Sequence, residues 1–68
     1  MMEMTANQIV TDIIGMNKQA VLFMCESANI PVRISYEDGK YYILTQDYNT
    51  SRLNLTIVNN IITQAHIG

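Results

Sequence analysis

The sequence contains one cysteine, one proline, three glycines and no tryptophan in 68 residues. A lone Cys25 forms no intramolecular disulfide, and with the single histidine, His66, it offers two soft ligands where a structural zinc needs four. Neither a bridge nor a metal is available as a staple, and no cofactor is expected. Cations are scarce: Lys18, Arg33, Lys40 and Arg52 stand singly, and the net charge is −2. A nucleic-acid partner would need a basic stripe to follow its phosphates, so none is expected. No run approaches the ~20 apolar residues of a membrane span, and Met1 to Ile14 has no basic start leading into an apolar segment. The chain as given therefore reads as cytoplasmic, and as secreted only if a signal has been removed.

Catalytic material is equally thin. His66 lies in a strand pattern near the last residue, and Cys25 sits mid-helix among apolar neighbours, where a buried, inert thiol is the usual outcome. Asp12, Glu26, Glu37, Asp38 and Asp47 show no spacing that pairs two carboxylates for acid–base work. Binding rather than catalysis is the expected mode of action.

The remaining composition, 49% hydrophobic and 15% charged, is that of a globular domain. One this small hides only about 60% of the surface its unfolded chain exposes. Its core should supply no more than about 3–5 kcal/mol, which leaves association into a homo-oligomer as the open route to further stability. Residues 1–68 are read as one domain, with an N-terminal helical segment over 1–14 and a core over 15–68.

Thr5-Ala6-Asn7-Gln8 has the form of a capping box, with Ile9, Ile13, Met16 and Ala20 following at helical spacing. Gly15 interrupts that pattern and Asn17 can cap a second, longer helix ending near Ala28; a continuous helix from Thr5 is the alternative. Ala20, Val21, Met24 and Ala28 share one face, and Asn29 suits a left-handed cap before Pro31. Val32, Ile34 and Tyr36 then alternate with Arg33 and Ser35 as a half-buried strand. Glu37 to Lys40 carries a turn signal, Tyr41-Tyr42-Ile43-Leu44 is a second extended run, and Leu53, Leu55 and Ile57 alternate with Asn54, Thr56 and Val58. Asn59-Asn60 turns the chain into a last strand, Ile61 to Ile67. The expected fold class is α+β, with one main helix on a small sheet.

Between the second and third extended runs lies a polar stretch, Thr45-Gln46-Asp47-Tyr48-Asn49-Thr50-Ser51, closed by Arg52. It reads as an exposed loop pinned at both ends, with Arg52 the nearest cation able to reach back to Asp47 or to loop carbonyls.

Thr45 to Leu55, followed by Ile57, Asn60-Ile61 and Ile67-Gly68, resembles the loop-to-C-terminus signature of the potato inhibitor I family. The match is nearest to its microbial branch of serine-protease inhibitors, with their Thr-x-Asp-Tyr-x-x-x-Arg-Leu-Asn run. Gly15, Ala20 and Pro31-Val32-Arg33 fall where that family has its opening, its helix alanine and its first strand, so the resemblance spans about Ile14 to Gly68. It implies a helix packed on a small mixed sheet and an extended loop that enters a serine protease's cleft like a substrate but is cleaved slowly. On this resemblance the binding loop comprises Leu44, Thr45, Gln46, Asp47, Tyr48 and Asn49, with Gln46–Asp47 the bond presented. Thr45 and Asp47 would bond inward to Arg52 and Asn54, and Gly68 would close the scaffold beneath. Asn54 stands where many plant members carry a second arginine.

A different use of the same scaffold is the alternative: a cytosolic, phage- or bacterial-type binding module that oligomerises and captures another protein or a small ligand, such as a host-defence factor or signal. Its contact surface would be Arg33, Tyr41 and Tyr42, with Tyr48 and Arg52, since aromatic and arginine side chains dominate binding hot spots.

Overall fold

A computed structural model describes residues 4–42 and 47–68. Its first helix, α1 (Ala6–Ile9), opens where the capping box predicts, with the Thr5 amide donating to Gln8 Oε1 at 2.9 Å. It lasts a single turn, and residues 10–15 continue as turns rather than helix. Gly15, whose φ of +91° takes the backbone out of the helical region, keeps those turns from running on into a second helix. Its amide donates instead to the Ile62 carbonyl at 2.8 Å, and the Ile62 amide donates to Met16 at 2.9 Å. The continuous-helix alternative is thereby excluded. Ile9 and Ile13 are buried in the same core as the rest of the chain, so the N-terminal segment packs as part of the domain.

Helix α2 (Lys18–Ser27) starts on Asn17, whose Oδ1 accepts from the Ala20 amide at 2.8 Å, satisfying one of the helix's orphan donors. It ends as expected on Asn29 at φ +57°, with the Ile30 amide donating back to Cys25 at 2.8 Å. The face it buries is rotated from the expected one. Val21 and Cys25 are its fully buried positions, while Ala20 and Met24 are half-buried. Burial pushes the Cys25 thiol pKa up, so the reactive thiolate is suppressed in the fold. Thiol-specific reagents are expected to label Cys25 only as fast as the domain opens; labelling followed against urea would show it, and native-state labelling at the rate of an exposed cysteine would contradict the burial.

Four strands follow: β1 (Val32–Glu37), β2 (Lys40–Tyr41), β3 (Leu53–Val58) and β4 (Ile61–Ile67), in the spatial order β2-β1-β3-β4. The central β1–β3 pair is parallel and the outer pairs are antiparallel, so the sheet is mixed. The second extended run, expected over Tyr41–Leu44, is described only in its first half. Ladder pairing covers Lys40–Tyr41, the Tyr42 amide still reaches Ser35 at 3.1 Å, and Ile43 and Leu44 lie outside the described residues. The alternation expected in β1 also fails at its end. A register shift between Ile34 and Tyr36 sends the Ser35 hydroxyl to the Leu55 carbonyl at 3.0 Å and pairs Tyr36 with Thr56 instead of an inward residue. Leu53, Leu55, Ile57 and Ile62 carry the sheet's share of the core against α2.

Both tight turns place two consecutive residues at positive φ, as two-residue hairpins of the right twist require: Asp38 and Gly39 at +49° and +91°, Asn59 and Asn60 at +50° and +67°. The turns are tied together, because Asp38 Oδ1 accepts from the Asn59 amide at 2.7 Å. Asp38→Ala is expected to lose about 2 kcal/mol, about half from alanine's left-handed strain and half from the lost bond. Asp38→Asn, which tolerates the conformation and keeps an acceptor, should stay within about 0.5 kcal/mol of wild type in urea titrations.

At the same end Lys18 Nζ bonds both carboxylate oxygens of Glu37, at 2.8 and 3.0 Å, fastening α2 to β1. That bond holds the ammonium pKa above its ordinary value. A raised lysine stabilises fully below its unfolded pKa, so this contribution is complete at neutral pH and is lost as pH climbs through the folded value.

The opposite end of the sheet is where β1 and β3 begin and β4 finishes. The Leu53 amide donates to Pro31 there at 2.9 Å, and Ile67 pairs with Leu53. A parallel β1–β3 pair requires the chain to travel back along the sheet after the β1–β2 hairpin. The described end of that connection, residues 47–52, lands beside the end of β4.

Candidate functional site

The returning limb is built from short polar contacts. Asn49 Oδ1 accepts from the Ser51 amide at 2.9 Å and its carbonyl from the Arg52 amide at 3.2 Å, a local turn that an asparagine side chain favours and that feeds the chain into β3. Upstream, Asp47 and Tyr48 project into solvent, and the Tyr48 side chain is 72% exposed. One edge of the Tyr48 ring lies close to Gly68, where an added Cβ would sit 3.6 Å from Cε2.

Arg52 holds this limb to the sheet. Its Nη2 donates to the Asp47 carbonyl at 3.0 Å, its Nη1 to Asp47 Oδ2 at 3.3 Å, and its Nε to the main-chain oxygen of Gly68 at 2.8 Å. The Gly68 amide returns a bond to the Arg52 carbonyl at 3.0 Å. The guanidinium suits this task because its donors leave in fixed directions, so one side chain spans a loop carbonyl, a carboxylate and the end of β4. Arg52 is mostly buried and Asp47 largely exposed. Solvent therefore weakens the ion pair, and the bonds to the two main-chain oxygens carry most of the hold.

Asn54, between Leu53 and Leu55 on β3, is the buried polar residue among the described residues, at 1% exposure. Its Nδ2 donates to the Gly68 oxygen at 3.0 Å and, at a longer 3.4 Å, to the His66 carbonyl, while its Oδ1 accepts from Arg33 Nε at 2.7 Å. Burial of a carboxamide is tolerable only with such partners, and no buried side-chain polar atom among the described residues lacks one.

Asp47, Arg52 and Gly68 are thus joined by hydrogen bonds, and Asn54 meets them at Gly68 rather than at the loop. Asn54 serves the end of β4. Leu44, Thr45 and Gln46 lie outside the described residues. Of the alternative contact residues Arg33, Tyr41 and Tyr42, two share a depression and the third bonds a buried amide. Tyr41 and Tyr42 line a shallow depression of about 380 Å³ on the outer sheet face with Tyr36, whose ring meets that of Tyr41 edge-on at 4.8 Å. Arg33 is instead engaged at Asn54. Sequence reasoning did not pair Arg33 with Asn54, although one signal pointed to it. Val-Arg-Ile and Leu-Asn-Leu are matched triplets, each with a polar centre that adjacent strands would set side by side. Among the described residues no three of His, Cys, Asp and Glu come together in a way that could hold a metal ion.

Comparison with protein-family models and with curated protein sequences gives no match. Among solved structures, elastase inhibitor AFUEI superposes with a TM-score of 0.59 at 26% identity, covering 93% of this chain and 88% of the inhibitor's. The shared fold is one that an elastase inhibitor uses, which supports a binding role for this chain. The chain is structurally homologous to elastase inhibitor AFUEI over nearly its whole length and has the α+β, potato-inhibitor-I-like fold.

Proposed function

We propose that this protein inhibits a serine protease by presenting the segment around Gln46–Asp47 to the enzyme's cleft in the manner of a slowly cleaved substrate. The observation that carries this reading is the Arg52 clamp, which ties an exposed limb at Asp47 to the end of β4. A limb ordered before binding loses little conformational entropy in the cleft, and a cut chain held in place is poised to rejoin rather than leave. The elastase inhibitor of the same fold points to elastase-type serine proteases as the first to try. In this reading Gln46 faces the primary specificity pocket and Asp47 follows the bond under attack.

The test is incubation of the purified protein with elastase, chymotrypsin-like and glutamine-reading serine proteases, following enzyme activity and intact mass together. Tight inhibition with slow cleavage confined to Gln46–Asp47 is the expected result. Rapid cutting without inhibition across the panel would overturn the reading. Because Gln46 sets the pocket contact, Gln46→Leu or Gln46→Met should shift inhibition toward enzymes with apolar pockets while leaving the unfolding midpoint nearly unchanged.

A further inference from the structure

Arg33 and Asn54 occupy paired positions in the parallel β1–β3 ladder, each flanked by apolar residues that face the core. The 2.7 Å bond from Arg33 Nε to Asn54 Oδ1 decides which way the buried carboxamide points. With Oδ1 toward β1, Nδ2 is directed at the main-chain oxygens of Gly68 and His66. Turned over, the amide would present its oxygen to the Gly68 oxygen and its NH₂ to a guanidinium, unfavourable at both ends. The Gly68 oxygen that Asn54 holds is the same atom that receives Arg52 Nε, and the rest of that guanidinium grips Asp47. One continuous run of hydrogen bonds therefore starts on β1, crosses β3, reaches the end of β4 and finishes on the exposed limb.

We propose that Arg33 is a positioning residue for the protease-facing limb, acting through Asn54, so that arginine on the neighbouring strand and asparagine on β3 together orient the Arg52 clamp. This rests on reading the limb at Asp47 as the part that meets a protease. The role needs an arginine, because a lysine ammonium lacks the fixed, planar donor that aligns with a buried amide oxygen.

Amide and side-chain hydrogen exchange on the whole chain tests it, read at the Gly68 amide and at the Arg52 Nε–H, with urea midpoints measured in parallel. Ser35→Ala is the control, since it too removes a β1-to-β3 side-chain bond but on no path to Gly68. Arg33→Ala is expected to speed exchange at both reporters about tenfold or more, Ser35→Ala by less than about twofold, and Arg33→Lys should not restore protection. In an Asn54→Ala background, adding Arg33→Ala should change neither reporter further; Asn54→Ser takes its place if Asn54→Ala does not fold. Wild-type exchange in Arg33→Ala, equal effects in Arg33→Ala and Ser35→Ala, or full additivity in the double variant would each overturn the proposal. These reporters need no protease. A wild-type protein that inhibits nothing would remove the functional reading and leave the relay standing, whereas unchanged exchange would remove the relay and leave inhibition untouched.

Discussion

Replacing Leu55 with alanine should lower the melting temperature by roughly 10–30 °C. Leu55 is fully buried on β3, a central strand, paired with Ile34 on β1 and Ala65 on β4. Truncating a buried leucine removes about 2–5 kcal/mol, with the larger values where neighbours cannot close the cavity. The β4 neighbour here is only an alanine, so no large side chain stands ready on that strand, and the upper part of the range applies. A chain of 68 residues without a disulfide should have a total stability of only about 3–5 kcal/mol. One substitution therefore removes a large share of it, and no disulfide limits the unfolded state in compensation. Val58→Ala, on the same strand but 38% exposed, should change stability by no more than about 0.5 kcal/mol. Thermal unfolding of the two variants by circular dichroism decides the matter. Similar midpoints would mean that the centre of the sheet is not where the stability resides.

The core and the strand alternation that places Leu55 in it are legible in the sequence because they are local. Leu53, Leu55 and Ile57 alternate with polar residues, Asn17 and Asn29 mark the ends of the long helix, and Asp38-Gly39 and Asn59-Asn60 sit at turns that demand positive φ. Each of these signals needs no knowledge of what the segment packs against. Those that failed depend on a distant partner. The expected alternation through Tyr36 gives way to a bulge beside the Ser35 bond to Leu55, whereas the break that Gly15 itself signals is kept, its amide bonding Ile62, 47 positions later. The buried face of α2 is shifted toward Cys25 for the same kind of reason, since the sheet beneath selects the residues that fit.

The candidate site divides along the same line. Arg52 reaching back to Asp47 spans five positions and can be suspected from the chain itself. Arg33 reaching Asn54 spans 21 and depends on the register of two parallel strands joined only through a long connection. Parallel pairing leaves little local trace, so a residue that acts across it reads as an ordinary surface arginine until the sheet order is known. The placement of Asn54 has a further consequence. Asn54 brings a neutral amide to the Gly68 oxygen, and the charged group beside it comes from Arg33 on β1.

The largest functional effect is expected from Arg52→Ala. This change removes the bonds to the Asp47 carbonyl, the Asp47 carboxylate and the Gly68 oxygen, while leaving Asn54 still bonded to Gly68. Hydrogen bonds to a charged group contribute about 1.5–3 kcal/mol each, and two of the three have main-chain oxygens as acceptors, so ~3–4 kcal/mol of limb ordering should be lost after discounting the exposed ion pair. If that ordering is spent in the complex, inhibition weakens by roughly 10²–10³-fold. The fold itself should survive, because the core residues on β3 are untouched and Arg52 precedes the strand. The variant should therefore unfold cooperatively in urea yet be cut between Tyr42 and Arg52 far faster than wild type. Thermolysin makes the cleavage measurement independent of inhibition, since a metalloprotease is not a target of a serine-protease inhibitor. Arg52→Lys should recover only part of the resistance, as one ammonium cannot span Asp47 and Gly68 in the directions a guanidinium does. Cleavage and inhibition constants in Arg52→Ala that match wild type would show that the limb is ordered by something other than this clamp. Rapid cleavage with inhibition unchanged would show that order of the limb in the unbound protein is not what the protease reads.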